Sequence, residues 1–499
     1  MKPLLAIAAA LLLALTASAQ PGAVRLLDYR LAEAPSDTAR FRLLRQAHLD
    51  ALAAGTTVSY RGTDTLRLAI PPGAEPIPVG QHNDFDNAVF LVRNNTADLF
   101  LFQLAPPMQP VAAPIGDSAL SAAIDLGDYR SIPALSQGRW LLQVIDSTPW
   151  VNQRADHSYG HYRRELIRAD RGLSPDRPAM PYGGTVSRPR LLGRPIGADT
   201  AFLFAHITLL RHPASTHKTF LLNLENQYSA TLAAVTVATP QSGMTDDRII
   251  RIYHCASVTL DSLTLLGTYS RTDHSGYGLL MDNCRDTRVQ HLNARSAWGI
   301  FGTNNMHTTT LSHCNFDRFD IHCYGRDVTF LHCTQSDSYN QFSSVVGTIA
   351  FDSCTFTNFT PILIESSYNA YPHFVLLMHD CRWHLTRRRS TLINAGRHDT
   401  LAPSRPELQT KCLPDIFIDG LTLSGPPLLR PRLVHYGGAV APLPLGGISQ
   451  IVILRIGPRG LLRPPFTLSD KRVPLAQPVN LFATDPAGRP LRAKKLTSL

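Results

Sequence analysis

Charge is scarce in this chain: Asp, Glu, Lys and Arg make up only 17% of its 499 residues. Tryptophan is scarcer still, at four. Apolar and aromatic residues nevertheless run through the whole length, which excludes a disordered chain. There are eight cysteines, but no two stand two to four residues apart, which disfavours zinc and leaves no metal-ligand set to assign. No zinc-finger spacing, recognisable binding motif or basic low-complexity tail points to nucleic acid, so none is expected as a partner. Beyond the first twenty residues no long apolar run occurs, and no membrane span is expected in the mature chain.

What charge there is leans one way. The formal net charge is +10, which for an exported protein favours an anionic partner such as an acidic polysaccharide. Export is read from MKPLLAIAAALLLALTASAQ: Lys2, then the apolar run Leu4 to Leu15, then Ala17-Ser18-Ala19 as a small-residue cleavage signal. Residues 1–19 are therefore expected to be a signal peptide, and the mature protein a soluble monomer in the periplasm or outside the cell. No cysteine follows the cleavage site, which argues against a lipid anchor of the bacterial lipoprotein kind.

The cysteines carry the organisation. Three residues before Cys255, Cys284, Cys314, Cys333, Cys354 and Cys381 stand Ile252, Met281, Leu311, Phe330, Phe351 and Met378. The residue just before each cysteine is always polar: His254, Asn283, His313, His332, Ser353 and Asp380. Apolar residues two apart share one face of a strand, the polar residue fits a bend, and the cysteine opens the next strand. A β-unit recurring every 20 to 30 residues or so implies a solenoid whose turns bury their apolar faces only by stacking. The six cysteines are then expected to form one inward ladder, read as reduced, buried thiols although disulfides between these positions are the alternative, with Cys323 and Cys412 outside the register. A leucine-rich repeat is the rival solenoid, but its fragment TLDSLTLLG (259–267) does not recur.

The segment SDTARFRLLRQAHLDALAAG (36–55) reads as an amphipathic helix. Ser36 or Asp37 caps it, Phe41, Leu43, Leu44 and Leu49 supply apolar positions, and Gly55 stops it. Asp37-Thr38, the helix and the strand ending in Pro71-Pro72-Gly73 match a common opening of one superfamily. On these residues the chain resembles a right-handed parallel β-helix of the pectate-lyase-like (pectin lyase fold) superfamily. The expected fold is all-β, a right-handed parallel β-helix solenoid with an N-terminal capping helix. Residues 20–56 form the N-terminal segment, 57–455 the β-helix and 456–499 a closing segment with a basic tail. Residues 106–197 are expected to be an irregular insertion or long loops on the helix.

The stretch HCNFDRFDIHCYGRDVTFLHC (313–333) is densest in chemistry. With Phe316, Phe319 and Ile321 inward, Asp320 and His322 point outward, six and eight residues past Cys314. Tyr339 and Gln341 stand at the same offsets past Cys333, and Arg387 and Arg389 at those past Cys381. If the coils keep phase, all line one outer wall. A groove with His322, Arg326, Asp320 and Tyr339 suits β-elimination on a uronate-containing glycan. That reaction needs a cation for the carboxylate, a base for the C5 proton and an acid for the leaving oxygen. Hydrolysis between two carboxylates is the other enzymatic reading, with Asp317, Asp320, Asp327 and Glu365 as candidates and Glu365 suited to proton donation. Trp298, Asn304 and Asn305 offer a sugar-stacking platform, and Asp317, Arg318, Tyr324 and Gln341 complete the substrate contacts.

The resemblance implies a carbohydrate-active protein, and lyases of this fold often use calcium; nothing in the residues requires a cofactor. The chain departs from the superfamily's enzymes in carrying no Trp-Ile-Asp-His-like or Arg-x-Pro-x-x-Arg motif and none of the polygalacturonase motifs. Each residue also has a plainer reading. His322 is an exposed strand histidine, Arg326 and Asp327 a turn ion pair, and Asn315 and Asp317 corner residues bonded to backbone. A non-catalytic glycan-binding or surface-structural β-helix is the alternative to an enzyme.

Overall fold

The computed structural model describes residues 23–63, 65–146, 152–153, 160–161, 163–178, 182, 187–197, 201–238, 248–267, 277–294, 302–323, 325–336, 338–343, 345–366, 373–387, 390–398, 414–426, 431–436, 449–457, 479–484 and 487–490. The expected signal peptide, Trp298, Tyr324, Arg389, Cys412 and most of the closing segment lie outside these residues. So do the side chains of His322, Cys323, Asn304 and Glu365, whose backbones are described.

The chain forms a right-handed parallel β-helix. One long sheet stacks Thr65–Ala69, His82–Arg93, Ala201–Arg211, Ser229–Ala238 and Ala256–Leu266 in parallel and continues to Asp415–Ser424 and Ser449–Gly457. Left-handed residues at matching positions, among them Ser262, His291, His313 and His332, bend this sheet into two walls. A closing wall runs from Leu99–Leu104 through Thr219–Glu225, Ile250–Tyr253 and Leu279–Asp282. It continues as Gly302–Asn304, Asp320–Cys323, Asn340–Phe342, Ile362–Ser366, Thr391–His398 and Arg432–Tyr436. The core is one continuous apolar cluster from Leu26 to Ile456. Helix α1, Asp37–Ala53, covers its first coil with Phe41, Leu44, Ala47 and Ala51, and Ser36 caps it by accepting from the Ala39 amide at 3.1 Å.

The polar residue before each cysteine is a bend, as its chemistry requires. His254, Asn283, His313, His332, Ser353 and Asp380 all have φ between 45° and 54°, the left-handed region that short polar side chains tolerate. The cysteines are free and buried. They form two ladders rather than one. Pairing of Ala256 with Arg285 and of Arg285 with His307 stacks Cys255 on Cys284 and Cys284 on Met306, where the closing wall turns into the long sheet. Cys314, Cys333, Cys354 and Cys381 stack on one another at the bend within the long sheet. Both corners ask for the same thing, a left-handed polar residue followed by a small inward one, so one sequence pattern marks two places.

The described residues within 106–197 form regular elements rather than irregular loops. Arg163–Asp170, Arg139–Asp146, Pro189–Ile196 and Gln109–Pro110 form an antiparallel sheet in that order. Helix α2, Asp117–Leu126, packs on it over a separate core of Leu120, Ile124, Tyr129, Leu142, Val144 and Ile167. This subdomain docks on the long sheet through Leu141, Leu166 and Ile196 against Ala256. Arg168 pairs with Asp286 across the same junction, and Glu165 lies 2.9 Å from His307.

Candidate functional site

The strand Asp320–Cys323 opens between Phe319 and Ile321, both fully buried in the β-helix core. Alternation therefore turns Asp320 to the outer face of the closing wall. There it is still covered, with no exposed surface, and Arg318 is 4% exposed. Arg318 Nη2 donates to Asp320 Oδ2 at 2.5 Å and to Gln341 Oε1 at 2.8 Å. The Arg318 guanidinium also lies over the Tyr339 ring, 4.5 Å from its centroid. Tyr277 completes the group by donating its hydroxyl to Asp320 Oδ2 at 3.3 Å. Five side chains of complementary chemistry thus meet on one wall, four of them from the residues singled out in the sequence.

The register differs from equal offsets past the cysteines. Asp320 pairs with Gln341, not Tyr339, so the next coil is longer by two residues before the strand. Tyr339 reaches the cluster from the turn before that strand rather than from the ladder. His322 sits at a bulge, between Ile321 opposite Thr303 and Cys323 opposite Asn304. Glu365 lies on Ile362–Ser366, two coil steps from Asp320 on the same wall. Arg387 stands apart, over the Phe359 ring at 5.3 Å.

Arg326 is not part of this cluster, and an outer groove combining it with Asp320 is not formed. It lies in the long sheet opposite His307, donates to the Pro178 carbonyl of the subdomain at 3.1 Å, and pairs with Asp327 at 3.3 Å. Asp317 is a corner residue. It accepts from the Ser336 hydroxyl at 3.1 Å, and its carbonyl accepts from Gln335 Nε2 at 3.2 Å. Asn305 is 3% exposed with φ 56° and makes the left-handed turn before Met306, which leaves no sugar platform at its side chain.

A second concentration of charge lies under the subdomain. Glu165 and His307 are each 1% exposed, and Arg285 Nη2 approaches His307 Nδ1 at 3.3 Å. Burial and Arg285 hold His307 below its ordinary pKa despite the opposing carboxylate. Burial works against ionisation of Glu165, but His307, Arg163 and Arg285 outweigh it and hold its pKa down. A neutral imidazole with its proton on Nε2 fits both contacts. No substrate reaches these buried atoms, so the group joins subdomain to scaffold. Among the described residues no three His, Cys, Asp or Glu side chains are grouped to hold a metal ion.

Sequence reasoning missed Tyr277, which lies 43 residues before Asp320 in the chain and reaches it only because coils stack. It also missed Asn223, Glu225 and Arg251 on the same wall. Their signal was the alternation of polar residues with the inward Leu222, Leu224, Ile250 and Ile252.

No protein-family model matches the chain, and no curated protein matches it. Solved structures similar to it include the tailspike protein gp49 of Pseudomonas phage LKA1, at 13% identity and TM-score 0.42, covering 90% of this chain and 76% of that one. Tailspike gp54 of Acinetobacter baumannii bacteriophage AP22, solved in complex with A. baumannii capsular saccharide, is 10% identical with TM-score 0.49 and covers 92% and 79%. Tailspike gp61 of Pseudomonas phage phi297 is 9% identical with TM-score 0.48 and covers 92% and 84%.

Proposed function

We propose that this protein is a polysaccharide-active β-helix protein that binds a glycan along the outer face of the closing wall and cleaves it by hydrolysis. The observation that carries this reading is the cluster of Tyr277, Arg318, Asp320, Tyr339 and Gln341. A rigid strand scaffold holds aromatic rings, hydroxyls, an amide and a paired charge together on a face that points away from the core. Tyr277 and Tyr339 are half-buried and meet the sugar first. Asp320 is a positioning residue, since its covered carboxylate orients Arg318 and Tyr277.

Hydrolysis is favoured over β-elimination by the charges. Elimination needs a cation to neutralise a uronate carboxylate, but Arg318 is neutralised by Asp320, and Arg326 lies on another wall beside Asp327. Glu365, on the strand Ile362–Ser366 of the same wall, is the candidate acid in this reading, with His322 or a second carboxylate as the candidate base. A second reading, glycan binding without cleavage, is favoured by the complete burial of Asp320.

The test is a screen of the purified protein against neutral and anionic glycans, with and without calcium. It follows binding, new reducing ends and the ultraviolet absorbance of an unsaturated uronate. Reducing ends without that absorbance, abolished by Glu365→Gln, support hydrolysis. Absorbance rising with reducing ends, and lost in His322→Ala, replaces it with elimination. Binding without product supports the second reading. Neither binding nor product with any glycan overturns the proposal.

A further inference from the structure

The closing wall carries a second polar and aromatic station. Arg251 Nε donates to Asn223 Oδ1 at 2.7 Å and its Nη2 to Glu225 Oε1 at 2.6 Å. Asn223 Nδ2 donates to the same Glu225 oxygen at 3.1 Å. The guanidinium is held between two rings, 5.1 Å from the Phe100 centroid and 4.8 Å from that of Tyr253. None of this supports the core, because Ile250 and Ile252, the neighbours of Arg251, supply the inward face. The Arg251 and Glu225 side chains are each 23% exposed, so the pair is fixed yet reachable.

The two stations share one track. The strand Ile250–Tyr253 pairs with Leu279–Asp282, which lies beside Gly302–Asn304, which pairs with Asp320–Cys323. From Arg251 to Asp320 is therefore three coil steps, about 14 Å at ~4.8 Å per step. Tyr277 lies along the gap: its carbonyl accepts from the Arg248 amide at 2.5 Å, and its hydroxyl reaches Asp320.

We propose that Asn223, Glu225 and Arg251 form a second sugar subsite, which takes an uncharged sugar unit of the glycan held at the Asp320 cluster. This rests on the function proposed above. Two of the three groups are charged, but they cancel. Nη1 of Arg251 and Oε2 of Glu225 make no hydrogen bond among the described residues, which leaves this part-exposed pair one donor and one acceptor for a ligand. A donor and an acceptor from one charge-neutral pair suit the hydroxyls of a sugar ring, and the Phe100 and Tyr253 rings beside them add apolar surface for its C–H face. With the two charges cancelled, the station offers a uronate carboxylate no net attraction. The gap suits an oligosaccharide rather than a single sugar.

The experiment uses the full-length protein and a panel of oligosaccharides of increasing length, cut from whichever glycan the wild type binds. Arg251→Met keeps the apolar stem, and Glu225→Gln keeps the size and one acceptor oxygen. Each is expected to weaken binding of long chains about tenfold, as one charge-assisted hydrogen bond is worth roughly a factor of that size. Binding of the shortest ligands should be unchanged, with unfolding midpoints close to wild type. Equal loss at all lengths, or no loss at any, overturns the subsite while leaving the Asp320 reading intact. A wild type that binds no glycan instead overturns the function on which the subsite rests. If Arg251→Met unfolds, Glu225→Gln alone decides the question.

Discussion

Replacing Arg318 separates what its cluster does for the fold from what it does for function. Arg318→Met removes the cation beside a carboxylate with no exposed surface. Removing one partner of a buried ion pair costs about 3–5 kcal/mol, here with the Tyr277 hydroxyl still donating to the carboxylate. The double variant Arg318→Met with Asp320→Leu removes the charge with its partner. It still leaves the Tyr277 hydroxyl and the Gln341 amide short of a bond each, at about 1 kcal/mol apiece. The single variant should therefore lose about 3–5 kcal/mol and the double about 2, so that the second substitution partly restores what the first removed. Urea unfolding of wild type and variants, followed by tryptophan fluorescence and circular dichroism, gives the midpoints, and glycan binding is measured on the same samples. The functional reading expects the double variant to recover stability without recovering binding. A single variant within 1 kcal/mol or so of wild type would refute the burial argument. A stable double variant that binds as wild type would make the cluster purely structural.

His48 on helix α1 is fully buried 2.6 Å from the Tyr60 hydroxyl, and burial lowers its pKa to about 3. Because the folded value lies below the unfolded one of about 6.5, the stabilisation is complete above that pH. It is lost progressively as pH falls toward the folded value, by about 2 kcal/mol at pH 5. His48→Gln should flatten the dependence of unfolding midpoint on pH between 6.5 and 5; an unchanged slope would assign that dependence to other groups. Burial pushes the Cys255 and Cys381 thiols up to about 12. Both should therefore resist alkylation at neutral pH in the folded protein and react fully in urea, and prompt labelling of either in the native state would contradict the packing.

The solenoid was legible because its rule is local. Ile250, Ile252 and Cys255, or Phe330 and Cys333, repeat an inward pattern that stacking alone can bury, and the polar residue between announces the bend. That same locality hid the second ladder, since Cys284 and Cys314 satisfy identical corner demands at different corners. The subdomain was not legible because RWLLQVID, covered on both faces, shows no clean alternation. The site was legible in part. Arg318, Asp320, Tyr339 and Gln341 are close enough in sequence to be read as one outer face, whereas Tyr277 joins them only through stacking that no short window reports. Arg326 was drawn in by proximity in the chain, although the turn after Asp320–Cys323 carries it onto another wall.

That turn gives one coil two duties. On the closing wall it carries Arg318 and Asp320; on the long sheet it presents Arg326 to the Pro178 carbonyl, beside His307 of the preceding coil and its partner Glu165. The subdomain therefore clamps the coil that bears the proposed site from a wall other than the one proposed to take the glycan. A site built on strands is only as exact as the register of those strands, and the two-residue lengthening between Asp320 and Gln341 shows that coil length here is free to vary. A buried Glu165–His307 contact and the backbone contact of Arg326 restrict that freedom where it matters. The charged residues under the subdomain and those on the closing wall are in this view one arrangement: the first group fixes the coil, and the second uses the position so fixed.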